Sequence, residues 1–359
     1  MYPKQKVIII AECGVNHNGD IELAKEMIDV ACEVGADYVK FQTFKVDALV
    51  KKDAPMAVYQ KNNLKAEKSQ YEMLKSYELK ESDFKDLYEY ALQKDGAKFL
   101  STPFDLDSLH FLKSLGLNMI KISSGDLTNG PLLLETAKAD LSVILSSGMS
   151  TLDEVRIALS ILKWGYEKGR EDPLSLRDLL DYSSDQNFGS IAEKVSLLHC
   201  LSEYPAPSQL INLRAMTTLE NEFSIPVGYS DHSLGTHIPV AATAMGAKII
   251  EKHFTLDRNL PGPDHKASLT PTELKRMVWE VREIESALGD GLKVPQGNER
   301  DTARVVRKSM YAKGLIKQGD ILTEDKIDCL RPENKTSPIH FWDIKGSSAS
   351  KDYQPGDPL

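Results

Sequence analysis

The sequence predicts a (β/α)8 barrel followed by a small C-terminal module, and three observations carry that prediction. Eight short apolar runs fall within the first 255 residues, nearly every one is followed by a helix-like segment, and each ends in polar residues of the kind that do chemistry. Parallel strands that close into a barrel bring their C-terminal ends to one rim, so eight polar endings converge on one mouth. The competing architecture, an open doubly wound sheet, shares the alternation, but no GxGxxG or P-loop string follows the first run.

In order, the runs are 6–12, 37–42, 97–102, 119–124, 142–147, 195–200, 225–232 and 247–253, with endings such as AECGVNHNG, KFQTF, LSTPF, KISSGD, LSSGM, LHCLSEYP, GYSDH and EKHF. After the first run Asp20 is placed to cap a helix with Leu23, Met27, Val30, Ala31 and Val34 on one face, stopped by Gly35. After the fifth, Ser150 or Thr151 is the expected cap, and after the eighth Thr270, Pro271 and Glu273 form a capping box with proline in the first turn. The barrel is expected to span 1–288. Residues 289–303, polar and rich in glycine and charge, read as a linker, and 304–359 as a second domain with short strands at 309–312, 327–330 and 346–350. A core that small leans on a barrel, its own or a partner's. The stretch 164–194 is far longer than a usual helix-to-strand connection. Because it precedes a strand it is expected on the rim opposite the mouth, in a surface or subunit-contact role.

The net charge of −9 argues against broad nucleic-acid binding. An anionic substrate would need a local basic pocket, for which Lys40, Lys121 and Arg331 are the candidates. Four widely spaced cysteines without a CxxC pair, no secretory-type apolar stretch and no run of about 18 apolar residues point to reduced thiols in a cytoplasm and no membrane span.

His232 and His253 end the seventh and eighth runs, and neighbouring strands lie about 4.8 Å apart, so two imidazoles at matching heights can meet on one cation. Alternation puts Ser230 on the face of His232, and Glu251 on that of His253. Two satisfied polar groups in a barrel mouth are the competing reading, and the residues alone leave both open. Two imidazoles without a thiolate suit Mn²⁺, with oxygen-preferring Mg²⁺ or Co²⁺ as alternatives. Thr102, Ser124, Ser146 and Ser230 offer hydroxyls from four strands around Lys121, a cup for a phosphate monoester, although any one hydroxyl could be a helix cap. Glu12 could be base, proton donor or metal support, and Lys40 or Lys121 could form a Schiff base as in a lysine aldolase.

Taken together, IIAECGVNHNGD, ADYVKFQTFK, FLSTPFD, IKISSGD, ILSSGMS, LLHCLSEYPAP, VGYSDHSLGTHI, IIEKHFTLDRNLPGPDHKASL and CLRPENK resemble, in order and over essentially the whole chain, the bacterial sialic acid synthase family. The resemblance implies a barrel joined to an antifreeze-like (SAF) domain, in a domain-swapped homodimer whose small domains cover the partner's mouth. It implies condensation of phosphoenolpyruvate with an N-acetylated amino sugar and water, giving a nine-carbon 2-keto acid and phosphate by C–O cleavage. N-acetylmannosamine giving N-acetylneuraminate is the first expectation, and the 2,4-diacetamido-6-deoxy sugar giving N,N'-diacetyllegionaminate the alternative.

Carried over by motif, phosphoenolpyruvate would meet Thr102, Lys121, Ser124, Ser146, Ser202 and Ser230 with Lys40 nearby, and Mn²⁺ would be held by His232 and His253. Gln42, Tyr204 and Asp264 would contact the sugar together with Glu12, and Arg331 would reach it from the other subunit. Glu12 or Asp126 would stabilise the oxocarbenium ion or position the water. Asp126 stands where relatives often carry glutamate, and Ser202 replaces an amide. Phosphoenolpyruvate is already an enol and needs no amine, which disfavours the Schiff base. An ice-binding role for the C-terminal module would need a flat regular surface, whereas Lys326, Asp328, Arg331 and Glu333 give a charged one.

Overall fold

A computed structural model describes residues 6–57, 60–61, 69–169, 171–173, 175–184 and 187–359. The chain divides into two compact units, Met1–Gly289 and Asp290–Leu359.

The first unit is an eight-stranded parallel barrel. Its strands are β1 (Ile8–Gly14), β2 (Tyr38–Thr43), β3 (Lys98–Pro103), β4 (Met119–Ile122), β5 (Ser142–Ser146), β6 (Val195–Cys200), β7 (Val227–Asp231) and β8 (Ile249–His253). They neighbour one another in the order β3-β2-β1-β8-β7-β6-β5-β4, with β3 and β4 in contact across the seam. Each lies within or beside its sequence-predicted run.

Strand alternation then builds the interior in layers. Ile10, Leu100, Ile144, Leu198 and Ile249 form a buried apolar plug inside the barrel. Two residues further along their strands stand Glu12, Thr102, Ser146, Cys200 and Glu251, buried on top of the plug. The intervening residues, among them Ile9, Ala11, Val143, Leu197 and Ile250, join the larger core between sheet and helices.

The first two helices are α1 (Ile21–Glu33) and α2 (Val46–Leu49). Asp20 caps α1 as expected, accepting from the backbone N–H groups of Glu22 and Leu23. Its buried face is Ala24, Met27, Ile28 and Ala31, rotated from the predicted stripe, so that Leu23, Val30 and Val34 are only half-buried. The small Ala24 allows the close approach to the sheet that a face centred on Leu23 would prevent. The next helices are α3 (Gln70–Lys75), α4 (Glu81–Leu92), α5 (Leu106–Ser114), α6 (Gly130–Lys138) and α7 (Leu152–Lys168). Thr151 caps α7 in a capping box with Glu154. The long 164–194 stretch contains the end of α7 and a further helix, α8 (Leu176–Tyr182), and it is tied down by Trp164 edge-on to Tyr182 at 5.2 Å. It enters β6 at that strand's N-terminal end, away from the polar endings. After α9 (Ser208–Ile211), α10 (Ala215–Phe223) and α11 (His237–Ala244), α12 (Pro271–Leu288) closes the unit on the predicted Thr270–Glu273 capping box.

The second unit holds α13 (Glu299–Val306), β9 (Ser309–Ala312), β10 (Ile327–Leu330) and α14 (Phe341–Ile344), the two strands pairing antiparallel. Met310, Ala312, Ile316, Leu322, Ile327, Ala349 and Tyr353 form its core. At 346–350 there is no third strand, only an isolated bridge from Ser348 to Ile321. All four cysteines are free thiols, and among the described residues no helix is long and apolar enough to cross a membrane.

Candidate active site

Register delivers the polar endings to one place. Glu12 on β1 pairs with Lys40 on β2 and with His253 on β8. Ser230 on β7 pairs with Glu251, so one residue past Asp231 the chain carries His232 up beside His253. A cavity of about 460 Å³ opens above them, lined by Glu12, Lys40, Gln42, Thr102, Lys121, Ser124, Ser146, Ser202, Tyr204, Ser230, His232, His253 and Asp264. Arg331, expected to reach the site from the other subunit, belongs to the second unit. Asp126 is absent from the lining: its carboxylate accepts from the Ser123 hydroxyl at 2.7 Å and the Asn129 amide at 3.1 Å, which spends both oxygens on its own turn.

The floor is an alternation of charges. The Lys40 ammonium stands 2.7 Å from Glu12, 3.6 Å from Glu251 and 3.2 Å from the Thr102 hydroxyl, to which it donates. Lys121 lies 3.6 Å from the other oxygen of Glu251, and the Ser230 hydroxyl donates to that oxygen at 2.9 Å. Glu251 therefore faces two ammonium groups and a hydroxyl, whereas Glu12 faces one ammonium and the Gln42 amide. Burial raises both carboxylates, but the two lysines outweigh it at Glu251 and hold that group below the usual range. At Glu12 burial wins, with Glu251 adding to it, and lifts the group to about 7. The pair is thus split into a fixed anion and a proton carrier. Glu251 neutralises one of two ammonium groups, which leaves about one positive charge for an anionic ligand.

Hydroxyls surround that charge. The Gly148 N–H donates to Ser124 Oγ at 3.0 Å, and a Cβ at Gly148 would stand 2.4 Å from Ser202 Oγ and 2.7 Å from Ser124 Oγ. Ser146 Oγ is buried without a hydrogen-bond partner among the described residues, an atom prepared for a ligand oxygen.

The imidazoles lie at the rim, ring centroids 5.4 Å apart, with the Tyr204 ring against His232, centroids 4.0 Å apart and planes tilted by 33°. His232 donates from Nδ1 to the Leu201 carbonyl at 2.7 Å, which turns Nε2 away from the backbone. His253 Nδ1 is buried without a hydrogen-bond partner among the described residues, and Asp264 Oδ1 likewise. Burial, with help from His232 and Lys40, pushes the His253 pKa far down, so this ring is neutral. At His232 burial lowers the pKa, but Cys200, 3.8 Å from Nδ1, and the Leu201 carbonyl raise it overall. Two close imidazoles, one with an orphaned nitrogen, fit a divalent ion whose other ligands are water and substrate. Among the described residues no group of three or more His, Cys, Asp or Glu surrounds a common point.

Sequence reasoning placed Glu251 on the His253 face yet gave it no role, although it anchors the floor. The usable signal was its spacing, two residues before His253 on one inward-facing edge. An apolar wall of the cavity was missed altogether. It comes from Phe44, Leu49, Val50, Met73, Leu74 and Phe104, mostly in the segment between β2 and β3.

Comparison with known proteins places this geometry. The NeuB family model matches residues 27–293. The chain is 43% identical to the N,N'-diacetyllegionaminic acid synthase of Campylobacter jejuni, over 98% of both chains. It is 46% identical to the protein of the same name from Legionella pneumophila, over 98% of this chain and 92% of that one. Among solved structures, the N-acetylneuraminic acid (sialic acid) synthetase of Leptospira borgpetersenii in complex with citrate superposes with a TM-score of 0.66 at 35% identity, covering 83% of this chain and 90% of that one.

Proposed function

This chain belongs to the NeuB family, and from that premise we propose that it condenses phosphoenolpyruvate with a 2,4-diacetamido-6-deoxy sugar and water to give N,N'-diacetyllegionaminate and phosphate. The observation that carries the reaction is the floor: two buried lysines, one of them offset by Glu251, ringed by Thr102, Ser124, Ser146, Ser202 and Ser230. That is a cup for a phosphorylated carboxylate. The choice of sugar departs from the first expectation from sequence, N-acetylmannosamine. It follows the legionaminic synthases at 43% and 46% identity, against 35% for the sialic acid synthetase.

In this reading Lys40 and Lys121 hold phosphate and carboxylate, so that C3 of the enol faces the sugar aldehyde. As the C–C bond forms, the aldehyde oxygen takes a proton, and Glu12, protonated near neutral pH, is the group to give it. Water then adds at C2 and returns a proton to Glu12, and the adduct collapses to the ketone as its C2 hydroxyl passes its proton to the departing phosphate, which takes the bridging oxygen. Glu251 stays ionised throughout and balances the cation that develops at C2. His232 and His253 would hold a divalent ion, Mn²⁺ by donor type, which when bound supplies Lewis acidity at the rim. Gln42, Tyr204 and Asp264 are placed for the sugar, and in a domain-swapped homodimer Arg331 would complete its site.

Phosphate release from phosphoenolpyruvate, compared between the 2,4-diacetamido-6-deoxy sugar and N-acetylmannosamine, tests the proposal. Faster release with the former is expected, and preference for N-acetylmannosamine would return the chain to the sialic acid reading. Release with neither would remove the reaction.

A further inference from the structure

We infer that the apolar wall between β2 and β3 is the surface by which this enzyme selects a deoxygenated, doubly N-acylated sugar, with Val50 and Leu74 as specificity-determining residues; this rests on the condensation proposed above. The cavity has two unlike halves. Its strand-borne half carries the charges and hydroxyls, which serve the anionic substrate and the reacting end of the sugar. The opposite side is built of Phe44, Leu49, Val50, Met73, Leu74 and Phe104, none of which offers a side-chain N or O.

This wall is built independently of the barrel core. Val15, Phe44, Val46, Met56, Met73 and Tyr77 form a hydrophobic cluster of their own, against which Leu49, Val50, Leu74 and Phe104 pack. Its two helices are fixed to each other by Tyr71, whose hydroxyl donates to Asp47 on α2 at 2.7 Å. Ser69 and Glu72 close a capping box on α3. Phe44 meets Phe104 edge-on at 6.2 Å. A surface held this way is preorganised, and it presents hydrocarbon to the ligand before binding.

The chemistry of the ligand follows. A hydroxymethyl end would bring a hydroxyl against the hydrocarbon of these six side chains at a desolvation cost, whereas a C6 methyl and the methyl of an acetamido group lose nothing there. Gln70, in the first turn of α3 and at the edge of the same wall, can pair with an amide. Pockets of this kind discriminate by about 10- to 200-fold per group, enough to separate the two sugars and too little to exclude either.

The test is steady-state phosphate release by the full-length enzyme with each sugar, for wild type, Leu74→Asn and the isosteric Val50→Thr, with melting temperatures recorded to confirm folding. For the diacetamido sugar, kcat/KM is expected to fall about 10-fold or more in Leu74→Asn, mainly through KM. N-acetylmannosamine should hold or gain, the KM for phosphoenolpyruvate should stay near wild type, and Val50→Thr should shift the sugar ratio in the same direction. If wild type prefers the diacetamido sugar and both folded variants leave the ratio unchanged, the wall has no part in selection and the inference fails alone. If wild type lacks that preference, or releases no phosphate with either sugar, the proposed function fails and takes this inference with it.

Discussion

Lys252 and Asp231 form a fully buried ion pair, 2.5 Å between Nζ and Oδ2, on the sides of β8 and β7 opposite His253 and His232. Each member is the chain neighbour of one imidazole. Lys252 also donates to the Ser233 carbonyl, and Asp231 accepts from the Ser233 N–H and hydroxyl at 3.0 Å each, so the turn after β7 is clamped to β8. Lys252→Met leaves Asp231 charged and without its ammonium partner, which should cost about 3 to 5 kcal/mol in urea unfolding. Adding Asp231→Asn should recover part of that loss. The single variant should also bind Mn²⁺ more weakly by calorimetry. A loss of stability with unchanged affinity would make the pair a fold element only.

The imidazole pair gives a second prediction. His232→Ala or His253→Ala should lose about 100-fold or more in turnover, and EDTA should inactivate the wild type reversibly. Because His232 must give up its second proton to bind a cation, and its pKa is raised, affinity for Mn²⁺ should fall as pH drops. Normal rates in either variant with added Mn²⁺ would remove the metal.

Glu12 makes the third. Its folded-state pKa near 7 lies above the ordinary 4.5, so between those values the native chain binds more protons at this site than the unfolded chain. The stability contributed by this group is complete below about 4.5 and is lost as pH rises through 7. In kcat/KM the same proton should appear as a limb near 7. Glu12→Gln should abolish both the limb and the stability slope, and a variant that keeps the limb would assign it to another group.

Borohydride separates the enol mechanism from the amine one. Burial lowers the Lys121 pKa, while Glu12 and Glu251 hold Lys40 above its ordinary value against the opposing effect of burial. Any Schiff base would therefore form at Lys121. Reduction in the presence of both substrates should leave full activity and an unmodified mass, whereas a covalent adduct on Lys121 would overturn the enol mechanism.

Much of this site was legible because a barrel converts strand order into proximity: once eight runs are recognised, residues as distant as Glu12 and His253 must share a rim. Strand alternation likewise predicted that Ser230 and His232 share a face. Sequence patterning failed where position depends on loops. Asp126 sits one residue past Gly125 in a turn, and no period says whether its carboxylate faces the cavity or Ser123. The apolar wall was invisible for the same reason, since Phe44, Val50 and Leu74 follow neither a strand nor a helix period and meet only through the fold of the β2–β3 connection. Glu251 was a different failure, because its place was evident and its partners were not: its role depends on Lys40 and Lys121 arriving from two other strands.

Gly148 supplies the last prediction, and it isolates the phosphate cup from the rest of the site. Its φ is not in the left-handed region, so an alanine there meets no backbone penalty. The added methyl would instead stand 2.4 Å from Ser202 Oγ and 2.7 Å from Ser124 Oγ, distances at which both hydroxyls must rotate or retreat. Ser124 Cβ, at 3.2 Å, must also give by a few tenths of an ångström, but all three contacts are side-chain atoms, so the cost should fall mainly on the ligand. Gly148→Ala should raise the KM for phosphoenolpyruvate about 10-fold or more, as expected when hydrogen bonds to a charged group are lost at about 1.5 to 3 kcal/mol each. The sugar KM and the melting temperature should stay near wild type. A variant that binds phosphoenolpyruvate normally but handles the sugar poorly would move the phosphate away from Ser124 and Ser202, leaving Lys40 and Lys121 with the hydroxyls of Thr102, Ser146 and Ser230 to hold it.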